Sequence, residues 1–155
     1  GEVSMGLDHG MFYVKTADTT LKVSLIDAEY PDYRRVIPLD KAIVLRVEKK
    51  PILHALRRMN VMSSENYSGV IMTLSRGRLV LNSTNPDVGE ANDEIEVPYD
   101  GEEVRVGYNV IYMIEAIDAV EGDEMILEIR TGMRPAMVRM VGEDRYACVV
   151  MPLKV

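Results

Sequence analysis

The chain has 155 residues, 47% hydrophobic and 28% charged, enough for one complete domain and part of another. Its formal charge of −7 argues against a protein that grips nucleic acid with its whole surface. No run approaches the roughly 18 apolar residues of a membrane-spanning helix, and the single Cys148 excludes an internal disulfide.

The first three alternating runs, Val3–Leu7, Met11–Lys15 and Leu21–Leu25, predict strands. Asp8-His9-Gly10 has the composition of a hairpin turn. From Ala42 onward one order of elements occurs twice. Ala42–Val47 is strand-like, Ile52–Val61 is helical, and Gly69–Leu74, Arg78–Asn82 and Glu94–Tyr99 alternate again. Then Glu103–Val106 is strand-like, Val110–Val120 is helical, and Met125–Ile129, Ala136–Val141 and Tyr146–Met151 complete the second set. The three opening strands match the end of such a unit and lack its leading strand and helix. A pseudo-symmetric domain, preceded by a chain that starts in mid-domain, is the expectation. Arg76-Gly77 and Gly142-Glu143-Asp144 punctuate the strands as hairpin signals, so most neighbours are expected to be antiparallel. The segment Asn85–Asp93 is polar and acidic and is expected to be an exposed loop or an irregular strand entry.

In the first helix Ile52, Leu53, Leu56 and Met59 form one apolar stripe, with Pro51 suited to its first turn. Lys50, His54, Arg57 and Arg58 line the opposite face. That basic face is either ordinary solvated helix or a surface turned toward phosphate. In the second helix Val110, Met113, Ile114 and Ile117 face inward, and Tyr112, Glu115 and Asp118 face out. Cys148 lies in a strand-like run and is expected to be a buried structural thiol. Neither His has a Cys or His partner at ligand spacing, so no zinc site is expected. Asp87, Glu90 and Asp93 lack the spacing of an EF-hand loop. No nucleophile elbow, phosphate-binding glycine loop or Cys–His pairing is present, so the expectation is a protein without catalysis, cofactor or metal. The lack of a basic-then-apolar leader and the lone cysteine make a cytoplasmic location the expectation.

Four tracts carry a family resemblance: Glu29–Pro38 with its Pro-Asp-Tyr-Arg-Arg-Val, Asn85–Ala91, Val106–Tyr112, and Tyr146–Val155 with its Val-Val-Met-Pro. In this order they resemble the bacterial DNA sliding clamp, the beta subunit of DNA polymerase III. The resemblance implies an α+β DNA clamp fold. Its doubled strand–helix–three-strand unit has antiparallel sheets outside and two helices on the inner face. Residues 1–38 would be the last part of a middle clamp domain plus connector, and 39–155 a complete third domain. The implied role is that of a processivity factor. A ring of two protomers encircles double-stranded DNA without sequence preference and tethers DNA polymerase III, the clamp loader and repair polymerases through their linear motifs. A clamp-fold structural or oligomerisation module without DNA function is the alternative.

The resemblance also assigns residues. Pro31, Arg35, Val36, Asn109, Tyr112, Val149, Val150, Met151, Pro152 and Leu153 match a peptide pocket, physically a mainly apolar groove with a few polar anchors. Val61 and Met62 match the apolar part of the protomer interface, and Asp87, Glu90 and Asp93 its acidic strip. Gly89 and Asn92 depart from the family's more acidic pattern there. Lys50, Arg57 and Arg58 would face DNA. Thr131–Pro135 is one residue shorter than the family's loop and is expected to bring Arg134 near the pocket.

Overall fold

The computed structural model describes residues 1–64, 66–142 and 145–154, in two units, Gly1–Arg35 and Val36–Val155. In the first unit β1 (Ser4–Asp8), β2 (Met11–Lys15) and β3 (Thr20–Ser24) form an antiparallel sheet. His9 and Gly10 both have positive φ, 44° and 75°, and close β1 onto β2 in two residues. That backbone matches the twist of the strands and explains glycine at the second place. The register sets Met5 opposite Val14 and Leu7 opposite Phe12, then Val14 opposite Leu21 and Phe12 opposite Val23, so one face is apolar. A 3₁₀ turn at Tyr33–Arg35 follows, which the strand pattern did not foretell.

The second unit runs β4 (Ile43–Glu48), α1 (Lys49–Asn60), β5 (Gly69–Ser75), β6 (Arg78–Asn85) and β7 (Gly89–Glu96). It then repeats as β8 (Val104–Asn109), α2 (Val110–Asp118), β9 (Glu124–Ile129), β10 (Ala136–Met140) and β11 (Ala147–Val150), with β12 (Pro152–Leu153) added. The sheets have the orders β11-β10-β9-β4 and β12-β8-β5-β6-β7, with every pair antiparallel. The leading strands are exchanged. The first repeat's β4 pairs with β9 of the second, and the second repeat's β8 pairs with β5 of the first. Between the sheets and helices Leu45, Leu56, Met72, Leu79, Leu81, Met113, Ile117 and Met125 are fully buried. Each such side chain stabilises the fold by about 1.5–3 kcal/mol relative to exposure, so this cluster dominates the unit's stability.

Four expectations are corrected. Helix α1 begins at Lys49, not Ile52, because β4 runs into it without a loop and Lys49 N donates to Asp123 O at 2.8 Å. Pro51 then lies in the first turn, where a missing N–H costs nothing. Of the two readings of the Asn85–Asp93 segment the loop is corrected and the strand entry holds: β6 extends to Asn85, and β7 starts at Gly89, whose φ of 130° favours glycine. Strand β11 stops at Val150, since the chain changes sheets at Met151 and pairs again through Pro152 and Leu153 with β8. Cys148 is half-buried, because β11 is an edge strand with β10 on one side only. Of the predicted turn at Gly142-Glu143-Asp144, Glu143 and Asp144 lie outside the described residues.

Within the second unit the segment before β4 is held by Arg130, which follows β9 and is 4% exposed. Its guanidinium donates to Glu128 Oε2 at 2.9 Å, and to Asp40 O and Pro38 O at 3.4 and 3.5 Å. A buried cation needs this many partners to offset its lost hydration.

Candidate functional site

Helix α2 and the end of the chain build one recess. Asn109 caps the helix: its side-chain oxygen accepts from Ile111 N at 2.9 Å and Tyr112 N at 3.3 Å, and its amide donates to Ser68 Oγ at 2.9 Å. These bonds satisfy two otherwise unpaired N–H groups and fix where Tyr112 emerges. Tyr112 is 60% exposed. On the other wall Tyr146 donates its hydroxyl to Ala116 O at 2.7 Å and so docks the approach to β11 against α2. Burial, then the neighbouring Cys148 sulfur, push the Tyr146 hydroxyl up to about 12, so it stays a donor at neutral pH.

The result is a cavity of about 450 Å³. Tyr112, Glu115 and Ala116 form one wall, Tyr146, Cys148, Val149 and Val150 the other, and Met151 closes the end. Met151 is 59% exposed because it bridges two sheets and belongs to neither. The walls are mainly apolar, and Glu115 is the only formal charge among these residues. A cavity of similar size, about 420 Å³, opens at the start of α1. Its lining includes Arg46, Glu48, Glu96 and Glu124, and Arg46 is already paired with Glu124 at 2.5 Å. That pair holds the Glu124 carboxyl below its ordinary range. Of these two cavities the α2 recess is the one suited to apolar side chains.

The residues assigned to a peptide pocket divide. Tyr112, Val149, Val150 and Met151 line the recess, and Asn109 positions it from the helix start. Pro152 and Leu153 line a neighbouring hollow with Arg105, Val106 and Met133. Val36 is exposed at the start of the second unit. Pro31 and Arg35 belong to the first unit, where they line a cavity with Glu29, Tyr30 and Asp32, and Arg35 pairs with Asp32 at 3.5 Å. Arg134 does not line the recess. It pairs with Asp40 and holds that carboxyl below its usual value. Glu115, Ala116, Tyr146 and Cys148 were not among the assigned residues. Glu115 and Ala116 share the exposed-to-inward turn of α2 that carries Tyr112, a helical spacing that sequence reasoning had available.

A second group lies where α1 ends and β7 begins. Val61 is 76% exposed, and Met62 is half-buried with its carbonyl accepting from Asn85 Nδ2 at 2.7 Å. Asn85, 1% exposed, also accepts from Asp87 N at 3.0 Å, so one buried amide joins the helix end to the turn. Asp87 and Glu90 are exposed on this edge. Asp93 instead points inward and binds Arg58, whose Nε and Nη2 both donate to Asp93 Oδ2. An inward charge on an edge strand is a common guard against unwanted pairing. On the exposed face of α1, Lys50 lies 2.9 Å from Asp123 Oδ1 and Arg57 3.2 Å from Asp118 Oδ1. The hydrogen bond to Asp123 raises the Lys50 value and lowers that of Asp123.

This arrangement of doubled units, with a recess beside the last strand, is that of the DNA clamp fold. The family model for the C-terminal domain of the DNA polymerase III beta subunit matches residues 34–154, and the chain belongs to that family. It is 30% identical over 156 aligned positions to the beta sliding clamp of Pseudomonas putida, covering 99% of this chain and 42% of that protein. It is 31% identical over 130 positions to the beta sliding clamp of Proteus mirabilis, covering 84% of this chain and 35% of that one. Among solved structures it superposes on the DNA polymerase III subunit beta of Pseudomonas aeruginosa with a TM-score of 0.85 at 27% identity, covering 99% of this chain and 42% of that one. A Bartonella birtlesii sliding clamp bound to griselimycin gives a TM-score of 0.85 at 28% identity, covering all of this chain and 42% of its own. The chain thus spans less than half the length of these relatives.

Proposed function

We propose that this chain serves a ring-forming DNA polymerase processivity factor and supplies a docking recess for short linear motifs of replication and repair proteins. The observation that carries this reading is the mainly apolar recess between α2 and β11, closed by Met151 where the chain changes sheets. An aromatic and an aliphatic anchor suit its walls, and Tyr112 and Glu115 supply polar contacts at its rim. Work in this role is done by tethering, which raises the partner's effective concentration at DNA, and requires no catalytic group. The protomer edge would comprise Val61, Met62, Asp87 and Glu90, and the homodimeric ring would pass over double-stranded DNA with α1 turned toward it.

The test is a titration of a fluorescent peptide carrying Leu and Phe anchors, beside a version with both anchors changed to Ala. Saturable binding that the Ala version loses, and that Tyr112→Ala and Met151→Ala each weaken at least several-fold, supports the reading. Equal binding of both peptides, or indifference to both substitutions in this chain and in a full-length clamp containing it, refutes it.

A further inference from the structure

The exposed face of α1 is electrostatically occupied. Its three candidate DNA-facing cations are matched one for one by carboxylates from three other places in the chain: Lys50 by Asp123 before β9, Arg57 by Asp118 at the end of α2, and Arg58 by Asp93 on β7. Lys49, the remaining cation at the start of the helix, is turned to protein. Its Nζ donates to Asp118 O at 2.8 Å and Val120 O at 2.6 Å, at the carbonyl end of α2. The basic stripe visible in the sequence is thus a set of ion pairs in the fold.

A carboxylate and a phosphate present similar oxygens to a guanidinium or ammonium, so the two compete for the same donors. The Lys50–Asp123 and Arg57–Asp118 pairs are exposed on both sides, and such pairs are weak and exchanged readily, whereas Asp93 is the more sheltered acid of the three. We propose that Asp118 and Asp123, with Asp93, are internal phosphate competitors that set how firmly this helix holds DNA. Each cation reaches a phosphate only by leaving its acid, so contact is brief and little net counterion release accompanies it. For a surface that must move along a duplex, low friction is the useful property. This inference rests on the DNA-encircling reading above, and goes beyond it by assigning a role to acids on the DNA side.

The experiment compares this chain with D118N/D123N, and with D27N/E103Q, which changes net charge equally at exposed sites elsewhere. Fluorescence anisotropy with a short labelled duplex is recorded over a range of salt concentration. D118N/D123N should bind several-fold more tightly at low salt, and the slope of log K against log salt should steepen by about 1–2 as two cations become available. Adding R57A to that variant should take part of the steepening back. Asp123 lies in a turn, so D123N alone serves if the double variant does not fold. An unchanged slope, or the same gain from D27N/E103Q, overturns the inference. The encirclement reading has a separate readout, retention of a full-length ring on circular but not linear DNA. Retention without any slope change refutes only the role of the acids, and absence of both refutes the two together.

Discussion

The two repeats of the second unit share a backbone and differ in surface. Strands β4 and β8 have equal length, so Glu48 corresponds to Asn109, Leu56 to Ile117 and Arg57 to Asp118. Inside, the repeats are equivalent: Leu56 and Ile117 are both fully buried. Outside, α1 is a polar face of ion pairs, and α2 is a capped, partly apolar helix that walls a recess. The difference teaches that core positions answer to the duplicated geometry, whereas exposed positions are left to specialise. One face is suited to passing contact with charge and the other to holding apolar side chains.

The largest expected effects test the internal equivalence. Leu56→Ala and Ile117→Ala should each cost about 3–4 kcal/mol, seen as matching losses in urea unfolding. A loss confined to one repeat, with two separate transitions, would break the comparison. The next compares residues just after β5 and β9. Arg130 is buried, whereas Arg76 pairs with Asp100 in the open. Arg130→Ala should cost about 3 kcal/mol because it takes from Glu128 the closer of its two arginine partners, leaving Arg139 at 3.4 Å, and removes the donor from the carbonyls of Pro38 and Asp40. Arg76→Ala should stay within about 0.5 kcal/mol.

At the helix starts, Asn109→Ala should cost about 1 kcal/mol, and Glu48→Ala close to nothing, because Glu48 makes no side-chain cap. The smallest effect concerns Tyr108, whose buried hydroxyl has no hydrogen-bond partner among the described residues. Burial pushes it up to about 12, with Arg130 acting in the opposite sense. A value raised in the fold means that the native state keeps its proton longer than the unfolded chain. Stability is then intact below about pH 10 and falls as pH rises from there toward 12. Tyr108→Phe should be neutral or slightly stabilising at pH 7 and should flatten that alkaline decline, read from denaturation midpoints across pH.

Most strands were legible because their apolar residues alternate against one buried face, and both helices because Leu56 and Ile117 sit in helical stripes. Strand β7 was not. Its inward positions are Ala91, Asp93 and Ile95, and the middle one is a carboxylate that lies inward only because Arg58 comes from α1 to meet it. No local pattern carries that long-range pairing. For the same reason the α1 cations read as an open basic stripe, since their acids are 35 to 73 residues away in sequence. In the recess, Met151 and Val149 were named in advance by the resemblance. The sheet change that exposes Met151 depends on β12 finding β8, and two residues give no periodicity to read.

The exchange of β4 and β8 makes each half of the domain a template for the other. A chain opened at the polar Asp100-Gly101-Glu102 link would yield two fragments, each with its leading strand lacking the sheet it completes. Neither fragment would hold its fold alone, and mixing them should rebuild both sheets at once. The domain is thus a covalently joined, strand-swapped pair. Its stability as a single cooperative block is a property of the joint and not of either half.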